Sequence, residues 1–315
     1  MDSRRIASLE VSVVGLGCNN FGSRLDATAT AAVVDAALDA GITFFDTADL
    51  YGEGASEEFL GRALGGRRRD VVVATKFGHA RSPFGSGARP EHVRRALEGS
   101  LRRLGTDYVD LYWLHQPDPA TPIADTLGAL DALVHEGKVR EIGCSQFSAA
   151  QLREASEASA RSGGTRFAGV QNEYSLLHRE PEADGVLAEC DRLGVAFVPF
   201  FPLASGLLTG KYRRGAPAPA GSRLGGGGRY AELLSERNLE TVEGLIALAE
   251  SHRRTVLELA VSWLLARPAV ASVIAGATRP EQVRANAAAA AWRLADADLA
   301  AVDEIVPGPA APRAG

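Results

Sequence analysis

The feature that most constrains this chain is an eightfold alternation of short apolar runs with longer segments of helical periodicity. The runs are rich in β-branched and aromatic residues and occupy residues 13–16, 43–46, 71–75, 109–114, 141–144, 168–171, 196–200 and 272–274. Strands that alternate with helices pair into a parallel sheet covered by its crossover helices. Eight such pairs in 315 residues predict an α/β fold of the (β/α)8 TIM-barrel type, with eight parallel strands, rather than an open doubly wound sheet.

The segments between the runs carry helix start and stop signals. Pro90 opens a helix predicted to run to about residue 104, Gly41 ends one over 27–40, and Gly137 ends one over 123–136. A short hairpin is predicted near residues 9–11, before the first barrel strand. Further helices are predicted over 56–64, 149–161, 182–193, 232–252, 256–266 and 280–290.

The chain is expected to form one domain over residues 1–315, with a flexible tail from about residue 307. A segment after strand 7, residues 205–229, is rich in Gly, Pro and Arg and is too long for a simple connection, which is typical of functional lids. The Gly15-Leu16-Gly17 sequence after the first run does not extend to GxGxxG. This weakens the alternative of a dinucleotide-binding doubly wound fold.

Charge and cysteine content exclude several functions. A net charge of −5 argues against a nucleic-acid or membrane surface, and we interpret the short basic run at residues 67–69 as a solvated loop. Cys18, Cys144 and Cys190 are widely spaced without a CxxC pattern, so neither a disulfide framework nor a metal site is predicted. No signal peptide is recognised, and a cytoplasmic location is expected.

Four side chains that could take part in catalysis lie at or just after the ends of three successive strands. Asp46 ends strand 2 with Tyr51 in the next loop, Lys76 follows strand 3, and His115 follows strand 4. In a barrel these positions share the carboxyl-terminal face. A Lys beside a phenol favours the phenolate and should lower the pKa of Tyr51, while a carboxylate keeps the Lys charged. An imidazole nearby can orient a carbonyl oxygen, so the set suits carbonyl reduction with hydride from a cofactor.

Each of these residues also has a structural interpretation. Asp46 could cap the next helix, Lys76 could be a cation at the barrel rim, and His115 could be a packed histidine beside Trp113. A metal-dependent or glycosidic barrel enzyme would instead need a ligand cluster or an unpaired acidic couple, whereas Asp46 is expected to pair with Lys76.

In several segments the sequence resembles the aldo-keto reductases, and within them the bacterial branch similar to potassium-channel β subunits. The segments span nearly the whole chain: GITFFDTADLYG at 41–52, TK at 75–76, LH at 114–115, GCS at 143–145, VQNEY at 170–174, PLASG at 202–206, LTGKY at 208–212 and GAT at 276–278. The resemblance implies an eight-stranded barrel, NADPH bound without a Rossmann domain, and a catalytic tetrad of Asp46, Tyr51, Lys76 and His115.

The resemblance also implies a set of cofactor-binding residues. Ser145 and Gln171 would bind the nicotinamide carboxamide, Phe200 would stack on its ring, and Leu203, Gly206 and Lys211 would surround the pyrophosphate. Arg223 would contact an adenosine phosphate, Thr278 and Arg279 the 2′-phosphate, and Gln282 and Asn286 the adenine. The full expected set is Cys18, Asn19, Ser145, Gln146, Gln171, Phe200, Phe201, Leu203, Gly206, Lys211, Arg223, Gly276, Thr278, Arg279, Gln282 and Asn286.

Four residues at three places depart from the family pattern. Gln146 replaces a usual Asn, Phe200-Phe201 replaces Trp-Ser or Tyr-Ser, and Ala285 replaces a frequent Glu. They leave open the exact carboxamide and phosphate contacts and the preference for NADP over NAD.

The leading hypothesis is NADPH-dependent reduction of an aldehyde or ketone, with Tyr51 as general acid. The alternatives are oxidation of an aldose or sugar alcohol, and an NADPH-sensing interaction module with negligible turnover. The substrate is expected to be a small carbonyl compound. Six residues are predicted to line the mouth of its pocket: Asn19, Asn20, Phe21, His79, Phe84 and Trp113. The sequence does not indicate an oligomeric state.

Overall fold

A computed structural model describes residues 1–226 and 230–308. An antiparallel hairpin of β1 (Ser3–Ile6) and β2 (Leu9–Ser12) comes first. The strands of one parallel sheet follow it: β3 (Val14–Gly17), β4 (Phe44–Asp46), β5 (Val72–Phe77), β6 (Val109–Leu114), β7 (Val139–Ser145), β8 (Gly169–Gln171), β9 (Ala196–Phe197) and β10 (Val273–Gly276).

The eight parallel strands are ordered β10-β3-β4-β5-β6-β7-β8-β9, so each strand from β3 to β9 pairs with its neighbour in the chain. The two edges meet at Phe197, whose N–H donates to the carbonyl of Ala269 (2.7 Å) and whose carbonyl accepts from the N–H of Ala271 (2.9 Å). These bonds close the sheet into a barrel. The predicted (β/α)8 fold and the N-terminal hairpin are confirmed.

Helices surround the barrel between its strands. They are α1 (Ala27–Asp39), α2 (Ala55–Leu64), α3 (Pro90–Leu104), α4 (Ile123–His135), α5 (Ala149–Ser162), α6 (Glu180–Ala183), α7 (Val186–Leu193), α8 (Glu236–Ser251), α9 (Val256–Leu265), α10 (Pro280–Ala288) and α11 (Asp296–Ile305). Several begin at side-chain caps, such as the capping boxes of Ser148 with Gln151 and Thr255 with Glu258. Within the described ranges no helix has both the length and the apolar character needed to cross a bilayer.

The barrel interior is packed with side chains rather than hollow. Phe44, Leu111 and Trp113 are fully buried there, together with Ile6 and Val11 of the hairpin, which covers the amino-terminal end. Gly143 in β7 makes room for this packing, because a Cβ atom there would lie 2.3 Å from the Trp113 ring. A second and larger apolar cluster fills the layer between the strands and the helices.

The observed elements differ from the expected ones in several places. β9 has two residues instead of five, although Phe200 still donates to the Asn172 carbonyl at 3.0 Å. The helix predicted over 182–193 is interrupted at Gly185, where φ is +82°. The helix predicted over 232–252 starts later, at Glu236, and α11 was not predicted.

Two other expectations concern the basic run and the tail. Residues Gly65–Asp70 form a 3-10 helix in which Arg68 is half-buried and pairs with buried Asp110 at 2.8 Å, so Arg68 is not a solvated loop residue as expected. The predicted flexible tail lies mostly outside the described residues, which end at Gly308.

Candidate active site

A cavity of about 980 Å³ opens at the carboxyl-terminal end of the barrel. Residues from the ends of β4, β7, β8 and β10 line it, together with the loops that follow the strands. Parallel strands bring their carboxyl ends to one face, so residues distant in sequence share this cavity.

The Lys76 ammonium group lies fully buried beneath the cavity and connects two of the expected catalytic residues. Its Nζ forms a salt bridge with Oδ2 of Asp46, donates to the Thr47 carbonyl (2.8 Å) and lies 3.4 Å from the Tyr51 hydroxyl. The second oxygen of Asp46, Oδ1, accepts from Nε2 of Gln171 at 3.1 Å. Both oxygens of the Asp46 carboxylate are therefore engaged.

A tight turn after β4 brings Tyr51 to Lys76. The chain forms a 3-10 turn over Tyr51–Gly54, with φ of +55° at Gly52. A Cβ atom on Gly52 would lie 2.8 Å from the Phe21 carbonyl oxygen, so the turn packs too closely for a larger residue. The ring of Tyr51 then lies over Lys76, with Nζ 4.9 Å from the ring centroid.

Tyr51 and Lys76 both have raised pKa values, but for different reasons. Burial raises the pKa of Tyr51 above its ordinary value, and the charge of Lys76 offsets this only in part. The expected lowering of the Tyr51 pKa is therefore wrong in net direction, because desolvation of the phenolate outweighs its attraction to Lys76. Burial lowers the pKa of Lys76, but the Asp46 charge and then Tyr51 reverse this and raise it, so Lys76 stays charged.

His115 stands beside Tyr51, with the two rings edge to face and their centroids 5.9 Å apart. Burial first, and then the Lys76 charge, hold the pKa of His115 well below its ordinary value. The imidazole is therefore neutral near pH 7. Its Nδ1 atom is buried and forms no hydrogen bond within the described parts of the chain.

The segment after β9 lines the cavity and has an unusual backbone. Phe201, Ala204, Ser205 and Gly206 have φ values of +52°, +45°, +57° and +95°, although only Gly adopts this region without strain. Within this segment the N–H groups of Ala204 and Gly206 donate to the carbonyls of Phe201 (2.9 Å) and Leu203 (2.8 Å), which hold the turns in place. Lys211 adds a cation there, because a Cβ atom on Gly206 would lie 3.2 Å from its Nζ.

The far side of the cavity is formed at the start of α10 and by the described part of the long loop, where residues 219–223 line it. Thr278 donates to Oε1 of Gln282 through its N–H (2.8 Å) and its hydroxyl (3.1 Å). Arg223, in the long loop, donates to Oδ1 of Asn20 at 2.9 Å. Because Asn20 follows β3, this contact joins the two sides of the cavity.

Most residues expected from the sequence line this one cavity. Asp46, Tyr51 and His115 do so with Lys76 beneath them, and so do fifteen of the sixteen expected cofactor residues: Asn19, Ser145, Gln146, Gln171, Phe200, Phe201, Leu203, Gly206, Lys211, Arg223, Gly276, Thr278, Arg279, Gln282 and Asn286. Cys18 is not in the lining. It is buried with its Sγ 3.6 Å from the Leu16 carbonyl oxygen.

The residues expected at the substrate mouth are only partly found there. Asn19, Asn20 and His79 line the cavity. Phe21 and Trp113 are instead fully buried in the apolar core. Phe84 packs against Arg103, whose guanidinium carbon lies 4.1 Å from the centroid of the Phe84 ring.

Sequence reasoning missed several lining residues, including Arg24, Arg81, Glu173 and Tyr230. All four lie outside the helices and regular strands, where neither hydrophobic periodicity nor capping signals predict which way a side chain faces. Glu173 lies within the 170–174 motif, and that motif is the one signal that could have pointed to it.

The geometry defines the class of protein before any comparison. It is a (β/α)8-barrel enzyme with a carboxylate, an ammonium group, a phenol and an imidazole grouped at the carboxyl-terminal face, beside a backbone segment with several left-handed residues.

Comparisons with known proteins agree. The model of the aldo/keto reductase family matches residues 13–307. A protein named probable voltage-gated potassium channel subunit beta, from Oryza sativa subsp. japonica, is 37% identical over 89% of this chain and 88% of its own length. The aldo-keto reductase yakc [NADP(+)] of Schizosaccharomyces pombe is 34% identical, over 96% of this chain and 90% of its own. The L-glyceraldehyde 3-phosphate reductase of Escherichia coli is 34% identical over 89% of this chain and 84% of its own length.

This chain belongs to the aldo/keto reductase family, and it is an oxidoreductase. The family in general reduces carbonyl groups with NAD(P)H. The resemblance inferred from the sequence motifs is confirmed.

Proposed function

We propose that the protein reduces an aldehyde or ketone to an alcohol with NADPH, with Tyr51 as the general acid. The observation that carries this proposal is the position of Lys76, whose Nζ contacts both the Asp46 carboxylate and the Tyr51 hydroxyl at the floor of the cavity. Within the described residues no group of three or more His, Cys, Asp or Glu could hold a metal ion.

The cavity suits an extended dinucleotide. Ser145, Gln146 and Gln171 would hold the nicotinamide amide, with Phe200 against the ring. Leu203 and Gly206, on either side of the left-handed residues Ala204 and Ser205, would hold the pyrophosphate with Lys211. At the far end Arg223, Thr278, Arg279, Gln282 and Asn286 would hold the adenosine and its 2′-phosphate, near the amino terminus of α10. When bound, NADPH supplies the hydride.

The residues of the chain supply the proton and orient the carbonyl. The raised pKa of Tyr51 keeps the phenol protonated at neutral pH, which is the state a general acid needs. After the proton has left, the Lys76 charge stabilises the phenolate, and Asp46 keeps Lys76 charged. The neutral imidazole of His115 can donate one hydrogen bond to the carbonyl oxygen, which fixes its orientation beside Tyr51.

The names of the relatives support parts of this proposal. The yeast relative is named for NADP(+) and the bacterial one as a reductase. The three cysteines are free and buried, which suits the reducing cytoplasm that we propose as the location. The rice relative carries the name of a channel subunit, so the test must separate cofactor binding from turnover.

The test measures binding first and catalysis second. NADPH and NADH are titrated by protein fluorescence, and a panel of simple aldehydes is then added while the absorbance of the reduced nicotinamide is followed. We expect tight NADPH binding and steady turnover. Tyr51→Phe should lower kcat by about 100- to 10,000-fold with unchanged NADPH affinity, whereas the control Tyr108→Phe, which lies outside the cavity, should match the wild type.

The other outcomes identify what is wrong. NADPH binding without turnover of any carbonyl compound would indicate a cofactor-sensing protein. If neither nucleotide binds, the cofactor assignments and the case for hydride chemistry are both lost. Near-normal turnover of Tyr51→Phe would show that another group provides the proton.

A further inference from the structure

One cation in the cavity is not used by the proposed chemistry. The loop between β5 and α3, residues 78–89, carries Arg81 into the lining that also contains Tyr51, His79 and His115. The charge of Arg81 reaches the catalytic end, where it is one of the causes that lower the pKa of His115. Within residues 1–226 and 230–308 the Arg81 guanidinium forms no hydrogen bond or ion pair, so it is available to a ligand.

Among the described lining residues, the other charged groups have partners or positions that leave Arg81 to the substrate. The acidic lining residues are Asp46, which is neutralised by Lys76, and Glu173, which lies after β8. Lys211, Arg223 and Arg279 lie where the cofactor phosphates are proposed to bind. Arg24 lies close enough to Arg223 for its charge to lower the pKa of that guanidinium. Among the residues that the structure describes, Arg81 is therefore the arginine or lysine of the lining on the side of the proton donor.

The loop that carries Arg81 is anchored to the segment that carries Tyr51. Ser82 donates from its hydroxyl to Oδ2 of Asp49 (2.9 Å), two residues before Tyr51. The Arg81 N–H donates to Nδ1 of His79 (3.0 Å), and the Ser82 N–H donates to the His79 carbonyl (2.9 Å). A side chain on an anchored turn loses less freedom when it binds a ligand than one on a free loop, which increases affinity.

We propose that the natural substrate is an anionic carbonyl compound, in which a carboxylate or phosphate group pairs with Arg81 while the carbonyl oxygen faces Tyr51 and His115. This inference rests on the proposed reductase function and specifies its substrate class. The planar guanidinium can bind either group through two parallel hydrogen bonds. The pairing group is remote from the reacting carbon, so the contact strengthens substrate binding and acts on KM more than on kcat.

The experiment compares charged and neutral forms of the same carbonyl compounds. Straight-chain ω-oxocarboxylates of increasing length are assayed with saturating NADPH, beside their methyl esters and the corresponding ω-oxoalkyl phosphates. At the favoured length the wild type should prefer an anion over its ester. Arg81→Met keeps the apolar stem and removes the charge, and it should lower kcat/KM for the anion by about 10- to 100-fold, mainly through KM. The ester should be affected less than about twofold.

Two further variants sharpen the comparison. Arg81→Lys keeps a charge but lacks the planar fork, so it should fall between the wild type and Arg81→Met. Arg89→Met is the matched control, because Arg89 is an exposed arginine at the end of the same loop and does not line the cavity. It should leave the preference for anions unchanged.

Each outcome has a definite meaning. A preference for carboxylates or for phosphates identifies which anion the substrate carries, and either result supports the inference. Equal use of acids, phosphates and esters at every length would overturn it, as would an equal loss for anion and ester in Arg81→Met. In both of these outcomes, reduction of the esters by the wild type would show that the protein is a reductase even though the anion inference is wrong. If no carbonyl compound is reduced, the proposed function itself fails.

Discussion

At the scale of single residues, the site depends on buried charges that only their partners make tolerable. Asp46 and Lys76 are almost completely removed from water, and an unpaired ion there would lose several kcal/mol of hydration. Such pairs are weak evidence for stability, since well-packed apolar residues often replace them without loss. We interpret this pair as one retained for the charge state it gives Lys76 beside Tyr51.

This interpretation gives a stability prediction. Asp46→Asn leaves the Lys76 charge buried beside a neutral group, so we expect the free energy of unfolding to fall by about 3–5 kcal/mol. Adding Lys76→Met removes the unpaired charge, and the double variant should regain much of the loss while remaining inactive. Urea unfolding of the wild type and the three variants measures the coupling. If the double variant loses as much unfolding free energy as the two single variants together, the prediction is contradicted.

A second buried carboxylate, Asp49, differs from Asp46 because it forms no ion pair with any described residue. Burial raises its pKa to about 7, and the hydrogen bond from Ser82 offsets this only in part. One of its oxygens, Oδ1, is buried and has no hydrogen bond from any described residue. The charged form of Asp49 therefore opposes folding.

The sign of the resulting pH dependence follows from the two pKa values. The carboxyl has an ordinary pKa of 3.8 and a folded-state pKa of about 7, so the folded protein holds this proton more tightly than the unfolded chain. Unfolding then releases a proton between these pH values, and stability falls as the pH rises through this window.

Asp49→Asn removes this titration and keeps an oxygen that can accept from Ser82. We expect the wild type to lose more thermal stability than the variant between about pH 4 and pH 8, by a few kcal/mol, since one pKa unit equals about 1.4 kcal/mol. Thermal melts of both proteins across this range measure the difference. If the stability of the two proteins changes equally with pH, Asp49 is not the group responsible.

At the scale of elements, the loops after the strands complete the cavity. The long loop crosses to the opposite side through Arg223, whose guanidinium donates to Asn20. The hydroxyl of Tyr212, near the start of the loop, accepts from the Leu224 N–H at 3.2 Å, so two parts of the loop 12 residues apart are joined. These contacts hold the described part of the loop beside the proposed phosphate site, and we propose that the loop retains the cofactor.

If the Arg223–Asn20 contact retains the cofactor, breaking it should speed NADPH release. We expect Arg223→Ala and Asn20→Ala each to raise the dissociation rate by about tenfold, the usual effect of a lost charge-assisted hydrogen bond. Stopped-flow displacement of NADPH measures the rate. Arg214→Ala is the control, because Arg214 lies in the same loop but pairs with exposed Glu236 (3.2 Å), away from the cavity.

The double variant separates two roles of Arg223. If the contact itself matters, Arg223→Ala and Asn20→Ala together should be little faster than either alone. Fully additive effects would mean that each residue acts on the cofactor separately.

At the scale of the whole molecule, the amino-terminal hairpin closes the end of the barrel opposite the site. Arg4 of β1 donates to the carbonyls of Leu265 (2.6 Å) and Val270 (2.5 Å) and lies 3.3 Å from that of Arg267. It thus caps the end of α9 and joins the hairpin to the segment before β10. We propose that the described chain is one cooperative domain in which the hairpin stabilises the barrel.

This arrangement predicts a change in stability without a change in catalysis. Arg4→Ala leaves three partly buried carbonyls without their charged donor, so we expect the unfolding free energy to fall by about 1.5–3 kcal/mol. The exposed neighbour Arg5→Ala should be nearly neutral. Neither should alter kcat, because the hairpin and the cavity lie at opposite ends of the barrel. Urea unfolding with a single cooperative transition, together with steady-state assays, tests both points.

The sequence by itself determined the order of the eight barrel strands and the family, although it missed α11 and the break between α6 and α7. Alternating local patterns specify each strand and helix from residues near in sequence, and in a parallel barrel the end of a strand fixes the face on which the next residue lies. Asp46, Tyr51, Lys76 and His115 could therefore be assigned to one site. The left-handed backbone at Phe201, Ala204 and Ser205 could not, because tertiary contacts impose conformations that these residue types disfavour.

Only the tertiary structure decided which loops reach the cavity and how the charges there behave. The Arg223–Asn20 contact joins residues 203 positions apart, and the position of Arg81 depends on the contact between Ser82 and Asp49 in different loops. The pKa of Tyr51 shows the same limit. The sequence indicated the attraction of Lys76, but the opposing desolvation comes from every atom packed around the phenol, and that total exists only in the folded chain.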